Sequence, residues 1–385
     1  MADIEHRTTP RASPNISDAT LRDSAHMAGI EFRPEDAARI ADLLVKTGVS
    51  LVEVGMISGT GSKDEDLIVA THETITPQRS MTLVVVRDRK QVSTALDEAQ
   101  RLGVHHVMYS IPTSPEHAQL KLGSASDKFL QTLLRSAVTQ AKDRGLHVTF
   151  SGEDGARTTP GRLIPYVTAG FEAGADRFRL AETVANLSPW QMESTIRNLA
   201  AIDGSEIEIH SHNMLGLAVA NSLAAIRAGA QWISTTVAGI GERGGNAPLA
   251  EVLTSLRILH GDHRFNLSHL TELTSVTLDA ADLTAFQSGP TTEHAFAYEL
   301  LGQLVHPQAY ETLPPESVGN TRELRVRSRI STGLVSWALD DSGVTVDIDA
   351  FTRWLIERQS DKRAALLDRD SIRKAAVDFS SEQTG

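Results

Sequence analysis

The distribution of apolar residues along the chain predicts short strands that alternate with amphipathic helices. Eight runs rich in Val, Ile, Leu and other strand-forming residues recur at regular intervals, bounded by polar or turn-forming positions. Between them, residues 34–48 and 126–145 repeat their apolar side chains at helical spacing and end in glycine, as helix C-termini commonly do. The predicted strands cover residues 16–23, 50–55, 81–86, 105–110, 146–151, 177–182, 206–212 and 232–238.

This alternation indicates parallel strands that are joined by helical crossovers. Eight such units within roughly 240 residues are typical of a (β/α)8 barrel. No G-x-G-x-x-G motif follows the first strand to favour a doubly wound, dinucleotide-binding sheet. The predicted fold class is therefore α/β, a (β/α)8 TIM barrel with a C-terminal linker and a small helical subdomain.

The alternating pattern stops after residue 275, where a stretch punctuated by Pro and Gly begins. Two or three helices around a turn at "DDSG" are predicted near the end of the chain. This last segment is too small to fold alone, so we expect it to pack on the barrel or on a second subunit of a homodimer. The predicted parts are a flexible leader (1–15), a TIM-barrel catalytic domain (16–275), a linker with short helices (276–330) and a small helical C-terminal subdomain (331–385).

Net charge and residue composition limit which partners, cellular locations and metal ligands the chain can have. A formal net charge of -12 over 385 residues argues against a nucleic-acid-binding surface over the whole molecule. The sequence contains no run of 18 apolar residues and no apolar N-terminal export signal, so it supports neither a membrane-spanning nor a secreted protein. The chain has no cysteine, which excludes disulfides and thiolate metal sites and fits a cytoplasmic protein. Any bound metal must therefore be held by His, Asp, Glu or Asn side chains.

Polar side chains at the ends of three predicted strands converge on one predicted site. The active site of a (β/α)8 barrel lies at the carboxyl ends of its strands, where Arg22 and Asp23 close the first strand. His210 and His212 close the seventh strand, and the two-residue period of a strand sends both imidazoles to one face. Asn246 follows the eighth strand. Two imidazoles, a carboxylate and an amide oxygen predict a divalent metal site with positions left for substrate and water.

Two other interpretations of the paired histidines are open at this point. Histidines at a strand end also occur as hydrogen-bonded interior residues. A set of two histidines and one carboxylate also serves non-haem iron oxygenases, although nothing else in the chain indicates that chemistry. The matching positions of Asp23 and Asn246 in the barrel favour the divalent metal site.

Six motifs, in order and at matching spacing from about residue 16 onwards, carry a family resemblance. The chain resembles the DRE-type TIM-barrel metal-dependent enzymes, which include homocitrate synthase, isopropylmalate synthase, citramalate synthase and hydroxymethylglutaryl-CoA lyase. The C-terminal "HPQAYETLPPESVG" and "STG" resemble the linker of the Claisen-condensing branch, particularly homocitrate synthases. The six motifs are "TLRDSAHMAGIEF", "VEVG", "FSGEDGART", "AETV", "HSHNMLGLAVANSLAAIRAGA" and "GIGERGGNAPL".

The resemblance implies a role for individual residues. It implies a divalent metal, Mg²⁺, Mn²⁺ or Zn²⁺, with acetyl-CoA as the co-substrate of a 2-oxo acid. Arg22 would stabilise the alkoxide that develops on the acceptor, and Glu153 would bind substrate or handle a proton. Lys121 would meet the CoA phosphates. The implied metal ligands are Asp23, His210, His212 and Asn246, and the implied substrate-binding residues include Glu53, Thr183, Ser151 and His294.

The chain departs from the family pattern at four positions that bear on chemistry: 26, 87, 149 and 299. Thr149 stands where homocitrate synthases carry Arg. His26 stands where the synthases carry Gln and is similar to the His of related aldolases. Arg87 stands at the position of the acceptor-pocket His of homocitrate synthases, which implies an anionic acceptor side chain. Glu299 replaces a His proposed to transfer a proton, and the adjacent Tyr298 is a second candidate for that step.

The sequence therefore predicts an acyltransferase that acts on small molecules. The predicted reaction is a metal-dependent Claisen-type condensation of acetyl-CoA with a 2-oxo acid, giving a 2-substituted malate and CoA. A first alternative is a metal-dependent lyase or aldolase that cleaves a 2-hydroxy acid or hydroxyacyl-CoA, which His26 favours. A second alternative is a non-catalytic barrel that binds a metabolite, which the altered segment around Glu299 suggests.

Overall fold

Eight parallel strands form a closed barrel in strand order, and the last strand pairs with the first. The computed structural model describes residues 13–283, 294–311, 314–315, 321–327, 329–359 and 365–384. This confirms the predicted (β/α)8 TIM barrel. The barrel strands are β1 Asn15–Asp18, β2 Leu51–Ile57, β3 Ser80–Val85, β4 His106–Pro112, β5 His147–Glu153, β6 Arg177–Glu182, β7 Ile207–Ser211 and β8 Trp232–Thr235.

Helices surround the barrel and continue into the C-terminal part of the chain. Helices α1 to α10 are Pro34–Thr47, Glu65–Thr74, Arg89–Arg101, Pro115–Leu122, Asp127–Lys142, Pro160–Glu172, Pro189–Leu199, Ala218–Ala228, Leu249–His260 and Leu270–Ala280. Helices α11 to α15 are Leu301–Val305, Pro307–Tyr310, Thr332–Leu339, Ile348–Arg358 and Arg369–Thr384. Two further short strands, β9 Ala297–Tyr298 and β10 Glu323–Leu324, pair in parallel.

Helix α1 shows how local sequence sets an element. Pro34 occupies the first turn, where its missing N–H costs no hydrogen bond. Two carboxylates in the same turn interact favourably with the positive end of the helix dipole. Ile40 and Leu44 lie on the buried face, four residues apart. Gly48 then ends the helix in the left-handed conformation, with φ of 103°. The predicted helix over 34–48 is therefore confirmed.

The first strand is shorter than predicted. It ends at Asp18, because the Asp18 carboxylate accepts hydrogen bonds from the Thr20 backbone N–H and hydroxyl and turns the chain there. The N–H of Asp23 then bonds to the carbonyl of Ala19, within a loop that leads into a single 3-10 turn, Ser24–His26. Arg22 and Asp23 therefore lie in the loop after β1, not in the strand, but still at its carboxyl end.

The C-terminal part has its own apolar core and contacts the barrel mouth. Leu334, Phe351 and Ile372 from helices α13, α14 and α15 are buried together, which confirms the predicted C-terminal helical region. The Ala309 carbonyl accepts hydrogen bonds from His117 and Arg157 of the barrel. None of the described helices has the length and apolar character needed to cross a membrane.

The predicted domain boundaries stay predictions. Residues 1–12 of the predicted leader lie outside the described residues, and Asn15 already belongs to β1. The predicted boundary at residue 275 falls within α10, which continues to Ala280.

Two glycines of α6 predict opposite effects on stability. A Cβ at Gly170 would lie 2.3 Å from the nearest Phe150 ring atom, whereas a Cβ at Gly161 meets nothing within 4 Å. We expect Gly170→Ala to lower the free energy of unfolding by about 1–3 kcal/mol through overpacking. Gly161→Ala should raise it by up to about 1 kcal/mol, because the unfolded chain loses conformational freedom. Urea denaturation measures both changes, and equal effects would contradict the packing seen around Phe150.

Candidate active site

Three predicted ligands meet at the carboxyl end of the barrel. One ligand atom from each of Asp23, His210 and His212 lies within 4.8 Å of the others, and all three residues are buried. The His210 Nε2 atom is 3.9 Å from Asp23 Oδ2. His210 and His212 lie two residues apart at the end of β7, so both rings face the barrel mouth. The arrangement is one that a single ion can bridge.

The second nitrogen of each imidazole is already engaged. His212 Nδ1 donates to the Gly245 carbonyl at 3.2 Å, which leaves Nε2 as the unprotonated nitrogen that a metal requires. His210 Nδ1 is 3.0 Å from the Ser234 hydroxyl. Burial lowers the pKa of His210 well below its usual range and, with the nearby Arg243 cation, lowers the pKa of His212 to about 3. Both rings are therefore neutral near pH 7.

The Asn246 side chain completes a donor set that fits a divalent ion. Its Nδ2 atom donates to Asp23 Oδ2 at 2.8 Å, while its Oδ1 atom is buried without a hydrogen-bond partner in the described part of the chain. Burial alone would raise the pKa of Asp23, but the charges of Arg22 and the neighbouring histidines outweigh this effect and hold the pKa well below its usual value. This carboxyl therefore stays ionised. Two neutral imidazoles, one carboxylate and one unsatisfied amide oxygen match the ligands of Mg²⁺, Mn²⁺ or Zn²⁺.

Arg22 is held between two carboxylates. Its Nη1 atom donates to Asp23 Oδ1 and its Nε atom donates to Glu53 Oε1. The second Glu53 oxygen accepts a hydrogen bond from Arg179 Nη1 at 2.7 Å. Glu53 is therefore a buried partner of Arg22 and is not exposed in the cavity.

Arg179 was not among the predicted site residues, although the sequence carried a signal for it. In "RFRLAE" the two arginines alternate with apolar residues, so the strand period sends Arg177 and Arg179 to one face, and in a barrel strand that face is the interior. The same period places Glu208 on the face of His210.

Glu153 lies in a second charged cluster at the rim. Lys121 Nζ is 2.8 Å from its carboxylate, and the His117 Nδ1 atom is 2.7 Å from it. Burial raises the pKa of Glu153, but Lys121 and the hydrogen bond from His117 lower it well below the usual range. Glu153 therefore stays ionised. Lys121, predicted to meet CoA phosphates, pairs with this carboxylate, and its contact with CoA stays a prediction; His117 was not predicted.

Lys121→Met is expected to raise the pKa of Glu153. The variant removes the cation that opposes the effect of burial, so protonation of the carboxylate becomes easier. Carboxyl ¹³C NMR of labelled glutamate, assigned with Glu153→Gln, would follow this titration. Lys142→Met, which removes the partner of Asp176 elsewhere in the barrel, is the control and should leave the Glu153 signal unchanged. An unchanged pKa in Lys121→Met would contradict the ion pair.

The loop after β8 brings a further charged pair to the site. Arg243 donates to Glu242 and also lies 2.6 Å, through Nη2, from His212 Nε2. His26 Nδ1 lies 4.0 Å from Glu242 Oε1 and the same distance from Asp23 Oδ1. The predicted residue His26 is therefore at the site. Glu242 and Arg243 were not predicted individually, although the quoted "GERGGN" contains both.

The remaining predicted residues divide into two groups. Arg87, Ser151 and Thr183 line the cavity at the barrel mouth, and the Thr183 hydroxyl also accepts a hydrogen bond from the Asp154 N–H. His294, Tyr298 and Glu299 are not among the residues that line it, and their assignments stay predictions. The Glu299 carboxylate accepts hydrogen bonds from the N–H groups of residues 327 and 329.

Apolar and charged side chains line the cavity at the barrel mouth. Its volume is about 470 Å³, and its apolar walls include Met56, Leu83 and Met108. The C-terminal part contributes Gln303, Tyr310 and Arg329 to its lining. Six cations and three carboxylates line it, and buried Glu53, Glu208 and Glu299 pair with three of these cations from behind the lining. The cations are Arg22, Arg87, Lys121, Arg179, Arg243 and Arg329, and the carboxylates are Asp23, Glu153 and Glu242.

Several known proteins with similar sequences are synthases. A 2-phosphonomethylmalate synthase from Streptomyces rubellomurinus is 34% identical over 86% of this chain and 88% of its own length. The homocitrate synthase AksA of Methanopyrus kandleri is 34% identical over 92% of this chain and 89% of its own length. A 2-isopropylmalate synthase from Methanocaldococcus jannaschii is 32% identical over 92% of this chain and 70% of its own length.

Solved structures share the fold at low sequence identity. The HMG-CoA lyase of Brucella melitensis superposes with a TM-score of 0.61 at 16% identity, and the match covers 70% of this chain and 99% of the lyase. The HMGL-like family matches residues 13–277, which include the whole barrel. With synthases of 30% identity or more matched over most of its length, this chain belongs to the HMGL-like family of TIM-barrel enzymes.

Proposed function

We propose that this protein is a metal-dependent acyltransferase that condenses acetyl-CoA with a 2-oxo acid. The observation that carries the proposal is the buried set of Asp23, His210 and His212 beside a fixed Arg22, in a chain whose relatives are synthases. The product is a 2-substituted malate. The methyl carbon of acetyl-CoA loses a proton and bonds to C2 of the acceptor, whose carbonyl oxygen becomes a hydroxyl. Water then cleaves the thioester and releases CoA.

The residues at the mouth divide the work of binding and charge stabilisation. Asp23, His210, His212 and Asn246 would hold a divalent ion, which would supply Lewis-acid chemistry at the acceptor carbonyl. Arg22 keeps its guanidinium at this position through Glu53 and Asp23, and it stabilises the negative charge that develops on the acceptor oxygen. Because the guanidinium is already oriented, little reorganisation is required during the reaction.

His26 is the group best placed to move the proton of the acetyl methyl. Its ring lines the cavity, and Nδ1 lies near the carboxylates of Glu242 and Asp23, which can orient it. Tyr298 and Glu299, the two residues that the sequence suggested for this step, do not line the cavity, and burial raises the pKa of the Tyr298 hydroxyl, so that it stays protonated near pH 7. His26 is therefore the proposed proton-transfer residue.

The acceptor carries a second anionic group beyond its 2-oxo acid carboxylate. The support for this is Arg87, whose guanidinium at the cavity edge pairs with no carboxylate of the described residues. One relative is named for a phosphonate-bearing malate. Phosphonopyruvate, oxaloacetate and 2-oxoglutarate all have the required charge, and Arg87 is the residue that would meet it.

A thiol-release assay tests the function. Purified protein would be incubated with acetyl-CoA, Mg²⁺, Mn²⁺ or Zn²⁺ and each of these acceptors, with pyruvate and 2-oxoisovalerate as singly charged controls. We expect CoA release that requires both substrates and stops with a chelator, and it should be fastest with a doubly charged acceptor. Formation of acetyl-CoA and a free oxo acid from a single hydroxyacyl-CoA, followed by chromatography because this cleavage leaves the thioester intact, with no thiol release from the pairs, would replace the synthase with the lyase alternative.

A homodimer in the cytoplasm completes the proposal. The small C-terminal core supports an assembly in which this part packs on a second subunit. Sedimentation equilibrium of the purified protein measures the mass, and a strictly monomeric species at micromolar concentration would contradict the dimer.

A further inference from the structure

A continuous chain of alternating charges runs through the barrel interior beneath the proposed site. Arg179 lies at its centre: Nη1 donates to Glu53 Oε2 at 2.7 Å, and Nη2 donates to Glu208 Oε1 at 2.8 Å. Glu53 leads from there to Arg22 and on to Asp23, whereas Glu208 bonds to Arg177 at 3.1 Å. Carboxylates and cations therefore alternate, in an order that runs inward from the mouth as Asp23, Arg22, Glu53, Arg179, Glu208 and Arg177.

The chain of charges crosses the barrel from one wall to the other. Glu53 lies on β2 and Arg179 on β6, four strands apart in the closed barrel, so the two side chains approach from opposite sides. The side chains of Glu53 and Glu208 have no exposed surface, and that of Arg179 is 1% exposed. Barrel interiors are normally filled with branched apolar residues. Burying ions instead is costly, so the arrangement requires a reason other than packing.

The guanidinium geometry of Arg179 explains why two carboxylates hold it. Its two terminal nitrogens bind one carboxylate each, which fixes the plane of the guanidinium and leaves Glu53 one orientation that satisfies both of its oxygens. In that orientation the other Glu53 oxygen receives Arg22 Nε. The position of the Arg22 guanidinium at the mouth is therefore set by a residue deeper in the barrel.

We infer that Arg179, held by Glu208, is a positioning residue that orients Arg22 through Glu53. This inference rests on the proposed function, in which Arg22 stabilises charge on the acceptor oxygen. Arg179 acts by preorganisation: without it, Glu53 can rotate, and the Arg22 guanidinium samples positions away from the reacting oxygen. A displacement on the order of 1 Å at a reacting centre can cost about a hundredfold in rate.

A set of variants can distinguish orientation of Arg22 by Arg179 from mere neutralisation of the buried carboxylates by its charge. Arg179→Met leaves Glu53 and Glu208 short of a cation and can unfold the barrel. Arg179→Met with Glu208→Leu removes one cation and one carboxylate together, and such apolar replacements of buried ion pairs often preserve folding. Arg179→Lys keeps the charge but has a single nitrogen in place of the fork. Arg177→Met, on the same strand but at the far end of the chain of charges, is the matched control.

With the best acceptor of the thiol-release assay, we expect kcat to fall about 10- to 100-fold in the double variant and in Arg179→Lys. The KM for acetyl-CoA should stay within about twofold, because the inference places Arg22 at the oxygen of the acceptor and not at the CoA thioester. Arg177→Met should keep kcat within about threefold of the unchanged protein. A folded double variant with unchanged kcat would overturn the inference, as would full activity of Arg179→Lys.

A second readout does not require turnover. In ¹⁵N-arginine-labelled protein, the Arg22 Nε–H signal, assigned by its loss in Arg22→Lys, should be sharp and protected from exchange because Glu53 accepts from it. It should broaden in the double variant and persist in Arg177→Met. If the unchanged protein releases no CoA in any assay, the proposed function fails and this signal alone decides the inference. An Arg22 signal unchanged by loss of Arg179 would overturn it.

Discussion

Replacing His212 with alanine is expected to lower metal-dependent CoA release at least about a thousandfold, equivalent to about 4 kcal/mol of transition-state stabilisation. In His212 the Nδ1 atom donates its proton to the Gly245 carbonyl, so the Nε2 atom carries no proton. The variant leaves Asp23 and His210 as an incomplete ligand set, so the ion is held weakly and the acceptor carbonyl is less polarised. Steady-state kinetics with Mn²⁺, together with calorimetric titration of the ion, measure both losses.

The His212→Ala variant should keep its fold, because the ring sits at the barrel mouth and its removal breaks no barrel pairing. His105→Ala is the matched control: His105 is exposed and precedes β4 at the opposite end of the barrel. It should leave both turnover and ion affinity unchanged. Full activity of His212→Ala at low Mn²⁺ concentration would remove the metal-site assignment.

Replacing Arg22 with lysine is expected to lower kcat about 10²- to 10³-fold, as loss of one oriented donor to a developing oxyanion does. The substitution keeps the positive charge, but an ammonium cannot reproduce the separate bonds that Nε and Nη1 make to Glu53 and Asp23. The effect should appear in kcat more than in KM, since the interaction strengthens only as negative charge develops.

Arg87→Met gives the contrasting result. Arg87 is exposed at the cavity edge, where it would contact the far end of the acceptor and not the reacting carbon. We expect it to raise KM for a doubly charged acceptor and to change kcat little. Titration of acceptor concentration for both variants separates the two roles. A KM effect confined to Arg22→Lys, with kcat unchanged, would contradict the proposed stabilisation of charge by Arg22.

The barrel could be predicted from sequence because its signals are local. Strands such as β3 and β4 carry a short, largely apolar run, and the helix signals of α1, an N-terminal Pro and a C-terminal Gly, lie within one segment. The strand period was enough to place His210 and His212 on one face. The end of β1 was not predicted, because the turn depends on a hydrogen bond between the side chains of Asp18 and Thr20, which residue periodicity does not report.

The sequence by itself determined the fold class, the family motifs and the identity of the metal-ligand candidates, because residue type and spacing carry that information. Only the tertiary structure decided which charges pair. Glu53 and Arg179 are 126 residues apart, and Lys121 pairs with Glu153, 32 residues away. Such pairs depend on barrel closure, which brings opposite walls together at distances that spacing along the chain does not encode. Because the interior has a low dielectric, each buried pair is strong and fixes the orientation of the two side chains that form it.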